Sequence, residues 1–395
     1  MTAVDADIVV VGAARTPQGR FCGSLGTVPA TELGAAAIRG ALTRAAIDPS
    51  VVDAVVMGQV LQAGAGQNPA RQAALLASVG ERAHATTVNK VCLSGLSAVI
   101  DAARLIRLGE ASVVVAGGME SMTLAPHLLT AARSGVPYGT VPLVDHGAHD
   151  GLTDARDQIA MGELTEQRWG GAASRARQDA SAVESHQRAA RAQDAGLLAA
   201  EIVPVTVRGR RGDVVVDADE GVRRDTSVES LGRLRPAFTP DGNITAGNAS
   251  GLSDGAAAIV LTTRSRAAQE GWPVLATVRA HAQVAGDNTL NLKPSDALLA
   301  ALGKQGWTVD DLTTIEINEA FASVALSAAE ALGLDDDDPR LNAHGGALAL
   351  GHPLGASGAR LVVHACHVIA RGGSRAGVAL CGGGGQGDAL LLDAP

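Results

Sequence analysis

Short apolar runs alternate with longer stretches of helical period over the first third of the chain. Ile8–Val11 reads as a strand, with Ala14-Arg15-Thr16-Pro17 turning off it. Thr31–Ala46 reads as a helix with Thr31 in the N-cap place. Val51–Met57 is a second strand, Pro69–Ala77 a helix and Thr86–Val91 a third strand. Ser94–Leu108 is a helix whose Leu96, Val99, Ile100, Ala103 and Ile106 share one face. Ser112–Ala116 is a strand ending in Gly117-Gly118. This alternation predicts a parallel sheet covered by helices on both faces.

The pattern then breaks. From Met122 to Asn248 the chain is rich in Gly, Pro and charged runs, with one polar helix over Ser181–Asp194. Regular α/β text returns at Ala256–Leu261 and continues from Val274 to Leu392, with strands at Thr314–Ile317 and Gly377–Leu380. The two regular parts repeat each other. Ser94-Gly95 aligns with Ser357-Gly358, Ala102 with Ala365, Ile106 with Ile369 and Gly109 with Gly372; after a two-residue shift Gly117-Gly118 aligns with Gly382-Gly383. The expected organisation is a first half over residues 1–121 and 250–273, an insertion over 122–249, and a second half over 274–395.

Composition narrows the core. Of 395 residues, 46% are hydrophobic but only 2% aromatic. The core must therefore be Ala, Val, Leu and Ile packed closely around 48 glycines. The net charge of −9 excludes a general attraction to nucleic acid, and the few aromatics offer no stacking platform. Anionic ligands must be met locally, by single arginines or helix starts. Cys22, Cys92, Cys366 and Cys381 are too scattered for a disulfide framework or a metal knuckle. The acidic start, Met1 to Asp7, does not resemble a leader, and no apolar run approaches the roughly 18 residues of a membrane span. These features fit a soluble protein of a reducing cytoplasm, bound to neither membrane nor nucleic acid.

Four stretches carry candidate chemistry. In Asn89-Lys90-Val91-Cys92-Leu93-Ser94-Gly95 a cysteine stands where a strand hands over to a helix. A helix start favours a thiolate over a thiol; taken alone, Cys92 reads more readily as a small buried hydrophobe, and the other stretches reverse that reading. In Gly351-His352-Pro353 a tight turn fixes an imidazole as a positioned base, or simply satisfies a turn histidine through backbone bonds. In Cys381-Gly382-Gly383-Gly384-Gly385 a second thiol ends a strand, and the glycines let backbone N–H groups approach a ligand. A phosphate cradle is the weaker reading there, because no Gly-Lys-Ser/Thr follows. In Asn318-Glu319-Ala320-Phe321 an amide can orient a water or donate to an oxyanion.

Together and in this order, these stretches resemble the thiolases, from Ala14-Arg15-Thr16-Pro17 to the C-terminus. The resemblance implies a thiolase fold: an α/β chain of two similar βαβαβαββ halves in a five-layered αβαβα core, with a loop domain inserted in the first half. It implies an acetyl-CoA C-acetyltransferase that joins two acetyl-CoA into acetoacetyl-CoA and CoA through an acyl-cysteine. No cofactor and no metal is expected, the coenzyme A thioesters being substrates. By the same resemblance Cys92 is the acylated nucleophile, His352 its base, and Cys381 the acid/base at the α-carbon. Asn318 would hold a water which, with His352, forms one oxyanion hole; the N–H groups of Cys92 and Gly383 form the other. Arg223, Phe238, Ala246, Ser250 and Leu252 match positions at the coenzyme A site, and Met161 and Phe321 positions near the acyl group. Where many biosynthetic relatives have His-Met-Gly, this chain has Ala160-Met161-Gly162, so a histidine contact is missing there.

The chemistry needs these residue types. Joining two acetyl-CoA requires covalent storage of one acetyl group and a carbanion on the other. A thiolate supplies the first reversibly, and a contacting base with an oxyanion hole supplies the second. The alternatives are a degradative 3-ketoacyl-CoA thiolase of broader chain length and a non-catalytic acyl-CoA-binding relative. A ketoacyl carrier-protein synthase would need neither the second thiol nor Gly351-His352-Pro353. Pro126–His146, rich in Leu, Val and Pro, is expected to be an interface arm of a homo-oligomer, a tetramer; a surface loop is the other reading. His364 and His367 are expected on a solvated helix face, and Asp335–Asp338 in a solvated turn. Cys22 and Cys366 are expected to be structural. His344 reads either as support for the site beside Asn342 or as a packed loop histidine.

Overall fold

The computed structural model describes residues 7–169, 173–210 and 212–395. Apart from Asp7, the acidic start lies outside the described residues. In chain order the first part holds β1 (Ile8–Arg15), β2 (Gly19–Arg20), α1 (Ala30–Arg44), β3 (Ala54–Gly58), α2 (Pro69–Leu76), β4 (His84–Val88), α3 (Ser94–Arg107) and β5 (Val113–Ser121). The irregular stretch holds β6 (His127–Leu128), β7 (Val144–Asp145), α4 (Met161–Trp169), α5 (Arg175–Asp194), β8 (Val205–Val207), β9 (Val214–Val216) and α6 (Val228–Gly232). Regular structure resumes with β10 (Ser253–Thr263), α7 (Arg264–Glu270), β11 (Ala276–Ala285), α8 (Lys293–Gln305) and β12 (Thr314–Ile317). It ends with α9 (Ala322–Ala331), α10 (Ala347–Leu350), α11 (Leu354–Ala370), β13 (Arg375–Gly382) and β14 (Gln386–Asp393).

The main sheet runs β12-β13-β14-β11-β1-β10-β5-β3-β4, with β2 added beside β10. It is mixed, not parallel as the alternation of elements predicts. Only β3–β4, β3–β5 and β12–β13 pair in parallel; the other pairs are antiparallel. The reason is local: β13 turns straight into β14 through Gly384 and Gly385, and β10 returns from the long excursion beside β5 in the opposite sense.

The repeat is visible in the strand order. β3-β5-β10-β1 in the first half corresponds to β12-β13-β14-β11 in the second, and the halves join where Val9 and Val10 meet Thr277 and Ala276. Opposite β4, the second half has only a single parallel bridge, Ile315 with Leu341. Three apolar clusters give the layers. Helices α1 and α2 cover the outer face of the first half, α8 and α9 that of the second, and α3 and α11 lie between the two inner faces. Each fully buried Leu, Ile or Val side chain in these layers contributes roughly 1.5–3 kcal/mol.

The middle layer needs small residues. A Cβ on Gly95 would stand 2.7 Å from the Gly355 carbonyl oxygen, and one on Gly358 would stand 2.6 Å from the Leu96 nitrogen. The two helices can thus cross with backbone near backbone, which brings the start of α3 to the start of α11. Both reactive motifs sit at those starts.

Several boundaries differ from the periodicity. β4 ends at Val88, because Asn89 opens a turn in which Val91 has φ 50°. The second strand starts at Ala54, since Pro49–Val51 forms a 3₁₀ turn capped by Asp48. β5 runs through both glycines to Ser121. Pro29, not Thr31, precedes α1, and Thr31 is buried inside it. The polar helix begins at Arg175, capped by Ser174. Cys22 is exposed, with φ 56°, so it is no core residue; Cys366 is buried.

Candidate active site

The turn after β4 is built by side chains that mimic backbone. Asn89 Oδ1 accepts the Val91 N–H at 3.0 Å. The Lys90 N–H donates to Ser94 Oγ at 2.8 Å, and that hydroxyl donates to the Val91 carbonyl at 2.6 Å. Cys92 follows, half-buried, and α3 starts two residues on. The helix start does not hold Cys92 as a thiolate, as its sequence position suggests. Burial pushes the thiol up to about 12, the N–H groups of Cys92 and Gly383 offset only part, and the Glu120 carboxylate adds to the rise. At rest Cys92 is a thiol, and to act as a nucleophile it would need a base.

His352 has the geometry such a base would need. Gly351, at φ 108°, packs so close to Ser253 that an added Cβ would sit 2.1 Å from its hydroxyl. The His352 N–H donates to Ser253 Oγ at 3.2 Å. Its Nδ1 lies 2.5 Å from Ser357 Oγ, and the Ser357 hydroxyl donates to the Pro353 carbonyl at 2.9 Å. A hydroxyl has one hydrogen, so Ser357 accepts from Nδ1–H. Nε2 then carries the lone pair, and among the described residues no group bonds to it. Burial, followed by the charge of Arg360, pulls the imidazole down to about 4, so it is neutral near pH 7.

Cys381 sits near the end of β13 among Ile244, Leu290, Phe321 and Val324. Burial, then the neighbouring Cys92, pushes its thiol well above the ordinary range. Leu93 packs on Gly382 and Val91 near Gly383, so the turn that carries Cys92 lies directly against this strand end.

Cys92, His352, Cys381 and Gly383 line one apolar cavity of about 310 Å³. Met161, Phe238, Ser250, Leu252 and Phe321 line it too. Phe238 meets Phe321 edge to face at 6.0 Å, and Ser250 Oγ donates to the Ala320 carbonyl at 2.9 Å. Asn318 is fully buried just past β12 and outside the lining; among the described residues neither end of its amide has a partner. Arg223 and Ala246 are exposed and also outside the lining. The Arg223 N–H donates to His186 Nδ1 at 3.1 Å.

Sequence reasoning missed three parts. Met122, Leu152, Leu290 and Leu354 form much of the apolar wall, and only Leu354 lies next to a motif. Glu120 is a buried carboxylate at the end of an apolar strand, a charge whose position was itself a signal. It accepts the N–H groups of Val60, Leu61 and Gly355 at 2.8–3.1 Å, while burial still pushes it up to about 7. Ser357, five residues after His352, had stood out only as a repeat match.

The histidines of α11 do not lie on a solvated face. His364 and Cys366 are buried, and His364 Nδ1 lies 2.8 Å from Glu201 and Nε2 3.0 Å from His344 Nδ1. Burial pulls His364 down, but Glu201 and Glu316 together raise it above its ordinary value. Glu201 also accepts from Arg15 Nε at 2.6 Å. The repeat counterparts Asp101 and Arg104 are about half exposed. The halves differ here because the inserted stretch brings Glu201 over α11, while the Asp101–Arg104 side of α3 stays about half exposed. His344 thus belongs to this buried ion cluster. Asp336, in the acidic turn, is exposed but pairs with Arg177 of α5 at 2.7 Å.

Comparison with known proteins agrees with this geometry. The chain matches the family description "Thiolase, N-terminal domain" over residues 8–265 and "Thiolase, C-terminal domain" over 272–394. It is 52% identical to a probable acetyl-CoA acetyltransferase of Mycobacterium tuberculosis, covering 98% of this chain and 99% of that protein. It is 51% identical to one of Mycolicibacterium smegmatis, covering 97% and 100%. It is 47% identical to the acetyl-CoA acetyltransferase of Chromobacterium violaceum, covering 98% and 100%.

Proposed function

The chain belongs to the thiolase family, and from that premise we propose that it is an acetyl-CoA C-acetyltransferase. It joins two acetyl-CoA into acetoacetyl-CoA and CoA, reversibly, through an acetyl group on Cys92. The observation that carries this reading is two thiols and one neutral imidazole on a single apolar cavity, with the imidazole lone pair unoccupied.

The proton count closes within these three groups. His352 Nε2 takes the Cys92 proton as the sulfur attacks the thioester carbon. The leaving CoA sulfur takes the proton of Cys381, which burial keeps on that thiol at rest. Cys381, now a thiolate, removes an α-proton from the second acetyl-CoA. The resulting carbanion attacks the acetyl carbon on Cys92. The Cys92 sulfur leaves and recovers its proton from His352. The N–H groups of Cys92 and Gly383 serve one developing oxyanion; His352 and a water on Asn318 serve the other.

Phe238, Ser250, Leu252, Met161 and Phe321 would hold pantetheine and acyl group, with Arg223 and Ala246 further out along coenzyme A. In the Pro126–His146 segment, β6 and β7 pair and leave Leu129, Val136, Tyr138 and Leu143 exposed. That apolar arm supports a homotetramer. Among the described residues no helix is long and apolar enough to cross a membrane, and all four cysteines are free thiols, which supports a cytoplasmic setting. A steady-state comparison of acetoacetyl-CoA with a longer 3-ketoacyl-CoA tests the substrate. Preference for acetoacetyl-CoA is expected; strong preference for the longer chain would favour the degradative enzyme.

A further inference from the structure

Cys92 belongs to the first half of the repeat and Cys381 to the second, so the chemistry depends on how the halves are registered. One buried carboxylate joins them there. Asp388, on β14, is fully buried. Its Oδ1 accepts from Lys90 Nζ at 2.7 Å. Its Oδ2 accepts from Ser97 Oγ at 2.7 Å and from Gln283 Nε2 at 3.2 Å. Lys90 lies two residues before Cys92, and Ser97 is in the first turn of α3. In the β13–β14 ladder Asp388 stands opposite Leu380, and its neighbour Gly387 opposite Cys381. A single side chain thus ties the turn and the helix of one thiol to the strand pair of the other.

The bonds of Asn89 and Ser94 set the shape of the nucleophile's turn, but all of them stay within the first half, the longest reach being from Asn89 Nδ2 to the Val60 carbonyl at 3.4 Å. They do not set its distance from the second half. That distance is short: a Cβ on Gly382 would stand 2.6 Å from Cγ of Leu93, the residue after Cys92. The turn is also strained, with β-branched Val91 at φ 50°. A strained turn relaxes unless something outside it holds it. We infer that Lys90 and Asp388 are a positioning pair, which holds the Cys92 sulfur at its working distance from Gly383 and Cys381. Neither residue lines the cavity, so both act through Cys92. The inference rests on the proposed reading of Cys92 as the acylated thiol.

The test is the single-turnover rate of Cys92 acetylation by acetyl-CoA, read by intact mass. Lys90→Met alone leaves a buried carboxylate unpaired and endangers the fold. The informative variant is therefore Lys90→Met with Asp388→Asn, which removes both charges. It is expected to keep the parent's melting behaviour and its KM for acetyl-CoA, yet to acetylate about 10²-fold more slowly, the effect of a displacement near 1 Å. Lys90→Arg, which keeps the ionic tie, is expected to recover most of the rate. Acetylation of the double variant at the parent rate would overturn the inference, as would a Lys90→Arg variant as slow as the double one. If the parent itself took no acetyl group on Cys92, the reading of the nucleophile would fall, and this inference with it.

Discussion

Replacing Ser357 by Ala should weaken catalysis without touching any reacting atom. Ser357 Oγ lies 2.5 Å from His352 Nδ1, in a site where both residues are buried. With alanine there, Nδ1–H has no partner when the ring holds its reactive tautomer. The unpaired buried donor costs about 1–3 kcal/mol. The ring can escape that cost by swapping tautomers or turning, and either move takes the lone pair away from Cys92. If the whole cost falls on the reactive orientation, the acetylation rate drops about 5- to 150-fold, at 1.36 kcal/mol per decade. KM for acetyl-CoA should barely change, because Ser357 does not line the cavity. The assay is single-turnover acetylation of Cys92 beside a thermal melt of the same protein. A variant within twofold of the parent rate would refute the argument that Ser357 fixes the tautomer.

Cys381→Ala should still accept an acetyl group on Cys92 but exchange the methyl protons of acetyl-CoA with deuterated water about 10²–10⁴-fold more slowly, the usual worth of a positioned base; exchange at the parent rate would move the base role to another group, His352 first. The acetylation rate should stay level as pH falls below the ordinary histidine range and drop only near pH 4, because burial has pulled His352 down to about 4 and only its neutral form accepts the Cys92 proton; a midpoint near 6.5 would contradict that. Light scattering at micromolar concentration should show a tetramer; a dimer would detach the arm from tetramer formation, and a monomer would remove the oligomer.

The reactive motifs were legible because each couples an unusual residue to an obligatory backbone shape. Cys92 stands before the apolar stripe of α3, and His352 is wedged between Gly351 and Pro353. The layers were legible from the same periodicity, since α3 and α11 carry matched small residues where they cross. Strand direction was not legible. An apolar run looks the same in a parallel and an antiparallel ladder, and the connections alone decide it. Nor was the environment of His364 or the protonation of Cys92. The repeat relates His364 to exposed Asp101, but Glu201 reaches it from more than 160 positions away in the chain. The charge state of Cys92 turns on burial among Val60, Leu61, Met122 and Leu354 and on Glu120, which outweigh the helix start that the local sequence displays. Ala246 and Arg223 lie outside the cavity around Cys92, and their place along coenzyme A rests on the family pattern alone.

The account stands on Cys92 being the residue that stores the acetyl group. Incubation of the purified protein with acetyl-CoA, an acid quench and peptide mass mapping would test it directly. One acetyl group should appear on the peptide carrying Cys92, and none on that peptide when Cys92 is replaced by Ser. A stable acetyl group on Cys381 instead, with Cys92 unmodified, would contradict the account.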